Sequence, residues 1–162
     1  MRIANFETHG VPGIAADEGS GWHGLSKSDS GFPGTLPELI AQGADLLHVG
    51  RILGQSPAVD LKAVRLLPPV PAPGKILCVG LNYDDHLEES GLKKPEYPEI
   101  FARFASSLIA HQEPIRRPRE STALDYEAEL AVVIGKPGRR IPPGAGPRSR
   151  GGLLPVQRCD SA

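Results

Sequence analysis

The sequence predicts an α+β fold that is mainly β, arranged as a small N-terminal domain followed by the first part of a second domain. Three observations predict it. Nineteen glycines and seventeen prolines in 162 residues call for many turns and short strands, yet together they stay below the rough 25–30% share that marks disorder throughout. The apolar runs are short and bounded by Gly or Pro, and only one window has a clear helical start. Finally, Leu-Pro-Pro-Val-Pro-Ala-Pro-Gly at 67–74 is a stiff, extended stretch that forbids helix, and it divides the chain. The expected organisation is a small domain over 1–66, this linker at 67–74, a second block over 75–142 and an irregular tail over 143–162.

In chain order, residues 1–34 read as short strands and turns punctuated by Gly10, Gly13, Gly19, Gly21, Gly24, Gly31 and Gly34. Thr35 followed by Pro37 and Glu38 is a capping-box pattern for a helix start. Leu36, Leu39, Ile40, Leu46, Leu47, Val49, Ile52 and Leu53 continue it at helical spacing, with Gly43 as an interruption that leaves one helix or two. Lys75 to Gly80 is an apolar run expected as a fully buried strand, and Cys78 within it as a small buried hydrophobe. Asp84 to Ser90 starts as a polar helix that Gly91 ends. Ile100 to Phe104 and Ser107 to Ala110 read as short strands, Pro114 to Pro118 as an extended piece. Leu124 to Ile134 reads as a strand entering a core, and Lys136 to Arg139 as a turn.

Composition narrows the function classes. Eighteen Lys and Arg balance nineteen Asp and Glu, without the basic stripe of a nucleic-acid binder. No run approaches the roughly 18 apolar residues of a membrane span, and the start, Met1 to Glu7, lacks the apolar core of a signal peptide. The two cysteines, Cys78 and Cys159, form no disulfide framework. The expected location is the cytoplasm.

Two clusters can do chemistry. In Asn82-Tyr83-Asp84-Asp85-His86-Leu87-Glu88-Glu89, a helix would put His86 and Glu89 on one face. A carboxylate on one imidazole nitrogen raises the basicity of the other, which makes a workable general base. The same residues also describe a solvated, acid-rich helix. In Asp125-Tyr126-Glu127-Ala128-Glu129-Leu130, strand geometry aims Glu127 and Glu129 to the same side. Two carboxylates that close repel unless a cation lies between them, and a hard divalent ion is the natural occupant. An edge strand with a wet face is the alternative. No Gly-x-Gly-x-x-Gly, Walker loop, zinc-ligand spacing or nucleophile elbow is present, and His9, His23, His48 and His111 are scattered.

Taken together, Pro73 to Tyr83 (Pro-Gly-Lys-Ile-Leu-Cys-Val-Gly-Leu-Asn-Tyr), Asp85-His86-x-x-Glu89, Pro98-x-Ile100-Phe101 and Asp125-Tyr126-Glu127-x-Glu129-Leu130 resemble the fumarylacetoacetate hydrolase family, from about Leu66 to Ile141. Residues 1–65 are similar to the small, variable domain that precedes the catalytic part in many members. The resemblance implies a mixed β-sandwich roll, of which 75–142 would be the first, incomplete part. It also implies an enzyme that needs Mg²⁺ or Mn²⁺ and hydrolyses, decarboxylates or isomerises 2-oxo or diketo acids. Under it, Glu127 and Glu129 are metal ligands, and His86 with Glu89 is the dyad that activates water or moves a proton. Arg103 stands where many members carry Lys and would contact substrate. The implied partners are a small oxo-acid substrate and a second copy in a homodimer, with neither nucleic acid nor membrane.

The family pattern also expects a third carboxylate ligand, in a Phe-Asn-Asp-like segment. After Pro143 the sequence changes character: Gly144 to Ala162 has neither helical nor strand period, and the neighbours of Asp160 do not fit. Codons permitted for Gly146 through Ala162, read one base later, can spell Ala-Leu-Asp-His-Val-Ala-Gly-Tyr-Ser-Leu-Phe-Asn-Asp-Ala-Thr-Leu. That agreement leads to the hypothesis of a shifted reading frame. Without the third carboxylate and the rest of the sheet, the strand bearing Glu127 and Glu129 would lack partners, and the chain by itself would fold poorly and turn over little. The competing reading is a non-catalytic fragment that serves as a binding or dimerisation module.

Overall fold

The structure is a computed structural model. It describes residues 1–84, 87–88, 91, 93–142 and 144, and the backbone of 150–161. It is mainly β, with short α-helices. The chain divides into two compact units, Met1–Pro69 with Ile109–Ala162, and Val70–Leu108.

In the first unit, β1 (Arg2–Thr8), β2 (Val11–Asp17), β3 (His23–Ser26) and β4 (Arg65–Leu67) form an antiparallel sheet in the order β3-β2-β1-β4. β1 and β2 join through a two-residue turn whose residues, His9 and Gly10, both have positive φ, as the twist of a tight hairpin requires. Glycine is needed at two strand positions for space. A Cβ on Gly13 would strike the Phe6 ring, and one on Gly24 would strike the carbonyl of Ile14.

The helices α1 (Leu36–Ala41) and α2 (Leu46–Leu53) cover this sheet. Glu38 accepts the Thr35 amide at 2.7 Å and its hydroxyl at 2.9 Å, so the acid of the capping box reaches back as the sequence suggests. Gly43, at φ +68, separates two helices rather than bending one. Asp45 then caps α2 by accepting from the amides of Leu47 and His48. Ile14, Ala16, Leu36, Leu39, Val49 and Leu53 form the core between helices and sheet. The buried Asn5 has its needs met: its side chain donates to the Pro69 carbonyl at 2.7 Å and accepts the Leu36 amide at 3.4 Å. One residue thereby ties the sheet to the start of α1 and to the proline-rich stretch.

The turn after β2 has a built-in acid. The Asp17 carboxylate is buried, accepts the amides of Gly19 at 2.6 Å and Gly21 at 3.2 Å, and pairs with Arg2. The Gly19 amide first, then Arg2, hold its pKa below the ordinary 3.8. A depressed folded-state pKa adds stability above the unfolded value and forfeits it as pH falls through the folded one. Thermal unfolding should therefore show a loss of melting temperature below about pH 3.8 that is reduced in Asp17→Asn. Parallel pH profiles for the two proteins would show that the turn contributes no such linkage.

Arg65 of β4 donates to Glu113 at 2.8 Å, and Glu113 also accepts the Ala110 amide. Residues 109–113 thus lie with the N-terminal sheet, in the unit of Met1–Pro69 and Ile109–Ala162. Within the second unit, β5 (Ile76–Gly80) and β6 (Glu99–Arg103) form an antiparallel pair in which Cys78 faces Phe101. The expectation of a fully buried strand at Lys75 to Gly80 is corrected. Burial alternates, Leu77 is 63% exposed and Cys78 is half-buried. An apolar run specifies what a strand could bury, and here the face bearing Leu77 and Val79 is open. The strand expected at Ser107 to Ala110 is corrected too. Residues Ala105–Ser107 form a 3-10 turn, in which the Ser107 hydroxyl donates to the Phe104 carbonyl at 2.8 Å and competes with extension.

β7 (Leu124–Ile134) has the bounds the sequence suggests. The tail expected to be irregular over 143–162 contains instead β8 (Arg150–Ser161), antiparallel to β7 with Glu127 opposite Arg158 and a register shift at Val133/Ile134. The strand bearing Glu127 and Glu129 is thus not without a partner. Backbone amides and carbonyls pair without regard to side-chain period, so a long strand can recruit a segment that has no strand pattern of its own.

Candidate functional site

β7 presents its carboxylates from the unexpected side. Residues Glu127, Glu129, Ala131 and Val133 lie on its half-buried face. Tyr126, Leu130, Val132 and Ile134 lie on the opposite face, where Tyr126 is 69% and Leu130 60% exposed. A strand sorted by hydrophobicity alone would be reversed. Glu127 and Glu129 therefore occupy same-side positions two residues apart, about 7 Å along the strand, on the more covered face. Both also take part in polar or ionic interactions. Oxygen donors in this arrangement suit a hard divalent cation. They are two oxygen donors, and no group of three or more His, Cys, Asp or Glu comes together among the described residues.

His86 and Glu89, the expected proton-transfer dyad, lie outside the described residues. Around them, Asp84, Leu87 and Glu88 are helical, as anticipated. The Leu87 amide donates to the Tyr83 carbonyl at 3.2 Å, and the Gly91 amide donates to the Glu88 carbonyl at 3.3 Å. Gly91 closes the turn at φ +65. Lys94 reaches Asp84 at 2.9 Å on the surface. Arg103 ends β6, half-buried and opposite Ile76, and it too takes part in an interaction. It stands in the Val70–Leu108 unit, β7 in the other.

The perturbed acids lie elsewhere. Asp29, Glu38 and Glu113 are lowered chiefly by the amides of Ser26, Thr35 and Ala110, which are turn and cap contacts rather than catalytic ones. A cleft of about 240 Å³ is lined by Gly43 to Leu47, Gly135 and Lys136, and its acid, Asp45, is engaged in capping α2. No described helix is long and apolar enough to cross a membrane.

Comparison with known proteins adds a family signal. Residues 75–148 match the family model described as "Fumarylacetoacetate (FAA) hydrolase C-terminal". The rat protein named "Oxaloacetate tautomerase Fahd2a, mitochondrial" is 36% identical over 147 residues, covering 87% of this chain and 47% of its own. The human protein named "Oxaloacetate tautomerase FAHD2A, mitochondrial" is 38% identical with the same coverage. The chain thus spans about half the length of these relatives. Among solved structures, the fumarylacetoacetate hydrolase of Exiguobacterium antarcticum matches with TM-score 0.75 at 28% identity, covering 99% of this chain and 56% of that one. A Mycobacterium abscessus chain described as a 2-hydroxyhepta-2,4-diene-1,7-dioate isomerase matches with TM-score 0.69, also at 28% identity, covering 99% of this chain and 53% of that one.

Proposed function

Because this chain belongs to the fumarylacetoacetate hydrolase family, we propose that it carries metal-binding and proton-transfer residues of an enzyme site for 2-oxo or diketo acids. The observation that supports this reading best is the reversed β7: two carboxylates on the covered face and large apolar side chains on the open one. Two carboxylates on one face supply oxygen donors of the kind a divalent cation takes.

In this reading Glu127 and Glu129 hold Mg²⁺ or Mn²⁺. When bound, the ion supplies Lewis-acid polarisation of the substrate's carboxylate and 2-oxo oxygens. His86 takes a proton, and Glu89 accepts from the other imidazole nitrogen and fixes the tautomer. Arg103 meets a substrate carboxylate. If the proton comes from water, the hydroxide formed attacks a carbonyl carbon, a C–C bond breaks, and the leaving carbon takes the proton back from His86, which is hydrolysis. If it comes from the carbon beside the oxo group and is returned to the oxo oxygen, the net change is keto to enol and no carbon bond breaks. The names of the two mammalian relatives, oxaloacetate tautomerases, favour the second course.

The proposal includes the frame change after Pro143, which would supply the third carboxylate. Two measurements test it. Titration of Mn²⁺ into the purified 162-residue chain should reveal one site; no binding would favour the non-catalytic fragment. Sequencing of the gene should reveal Phe-Asn-Asp in the alternative frame past codon 146. The protein made in that frame should then turn over a 2-oxo acid in a Mg²⁺-dependent way, while the present chain turns over little. Robust Mg²⁺-dependent turnover by the present chain would remove the need for the frame change.

A further inference from the structure

We propose that Met1 is an oxidation-sensitive modification site, its thioether seated on Gly50 of α2 and open to a small hydroperoxide. The seat is a glycine inside a helix, where alanine would be more favourable, and it is buried. The three nearest atoms that a Cβ at Gly50 would meet are the Sδ, Cγ and Cε of Met1, and the sulfur would overlap it outright. The missing Cβ therefore makes room for the methionine side chain. Met1 is the sole methionine of the chain, and it is 47% exposed, so a small oxidant can approach it.

The residues that follow fix the thioether in that seat. Arg2 opens the ladder of β1 on β2 opposite Asp17, pairs with its carboxylate and lies over the Trp22 ring, 5.2 Å from the centroid. Ile3 packs against the core. In the oxidation step a lone pair of the Met1 sulfur attacks the outer oxygen of the hydroperoxide. An S–O bond forms and the O–O bond breaks. The proton of the outer oxygen passes to the departing oxygen, which leaves as an alcohol, or as water from hydrogen peroxide. Sulfur is oxidised by two electrons and the peroxide is reduced by two. The sulfoxide is polar and carries an extra oxygen, which suits neither an apolar contact nor a notch sized by one absent Cβ. Oxidation thus unseats Met1 and loosens α2. None of this depends on the metal reading above.

Treatment of the whole chain with hydrogen peroxide, read by mass spectrometry and by amide exchange, tests this. Cleavage after glutamate isolates residues 1–7, which hold Met1 and neither cysteine. That peptide should gain one oxygen. The Gly54 amide, which donates to the Gly50 carbonyl at 2.8 Å, should then exchange about fivefold faster or more, as expected on losing the apolar contact of roughly half a side chain. Two controls locate the effect. Norleucine in place of the one methionine keeps the shape of the side chain without its sulfur, and Gly50→Ala fills the seat beforehand. In both proteins peroxide should leave Gly54 exchange unchanged. A 1–7 peptide that stays unoxidised after the cysteines have reacted would overturn the proposal, as would an oxidised one with unaltered Gly54 exchange. Equal acceleration in either control would overturn it too, since the effect would then lie away from the contact of Met1 with Gly50.

Discussion

Glu127→Ala should weaken Mn²⁺ binding by about 100-fold or more, and Glu129→Ala should do the same. Loss of an outer-shell partner at a metal site typically costs 10–100-fold, so loss of a direct ligand should reach at least the top of that range. The two acids share the half-buried face of β7, so each would supply both an oxygen and a charge. Glu127→Gln separates these contributions. The amide keeps an oxygen donor and loses the charge, and should fall between the parent and Glu127→Ala. Tyr126→Ala, on the opposite face, is the control and should leave binding unchanged. Calorimetric titration of the parent and the four variants decides it. Equal Mn²⁺ affinity in the parent and Glu127→Ala would return β7 to the status of a strand with a wet, acidic face.

That pair of acids was legible in the sequence because a strand has a period of two, and the bounds of β7 follow from the same pattern. The start of α1 was legible for a similar reason: Thr35 and Glu38 are local partners, and Gly43 is a local break. What escaped depends on contacts distant in sequence or independent of side chains. The ladder of β8 on β7 is made by backbone groups, so a segment lacking any strand period can form it. Burial of β5 depends on what covers it, which an apolar run does not state. The grip of Arg65 on Glu113 spans 48 positions and leaves no local trace. The dyad of His86 and Glu89 lies outside the described residues, and the reading there rests on the motif.

Leu53→Ala should be the most destabilising single truncation in the N-terminal domain, at about 2–5 kcal/mol. Leu53 ends α2 with no exposed surface and belongs to the cluster of Ile14, Leu36, Leu39 and Val49 between the helices and the sheet. Truncation there removes apolar contact and leaves a cavity that two short helices on a four-stranded sheet can only partly close. Small domains have about 5–15 kcal/mol in total, so the loss is a large share. Trp22, the single tryptophan, stacks against Arg2 beside the sheet and offers a fluorescence signal for unfolding by urea. The comparison that matters is Leu77→Ala. The same chemical change is made at a leucine that is 63% exposed on β5, and it should shift far-UV circular dichroism unfolding by less than about 0.5 kcal/mol. A comparable loss in both proteins would mean that the open face of β5 is covered in solution. A small loss at Leu53 alone would mean that α2 does not hold the sheet.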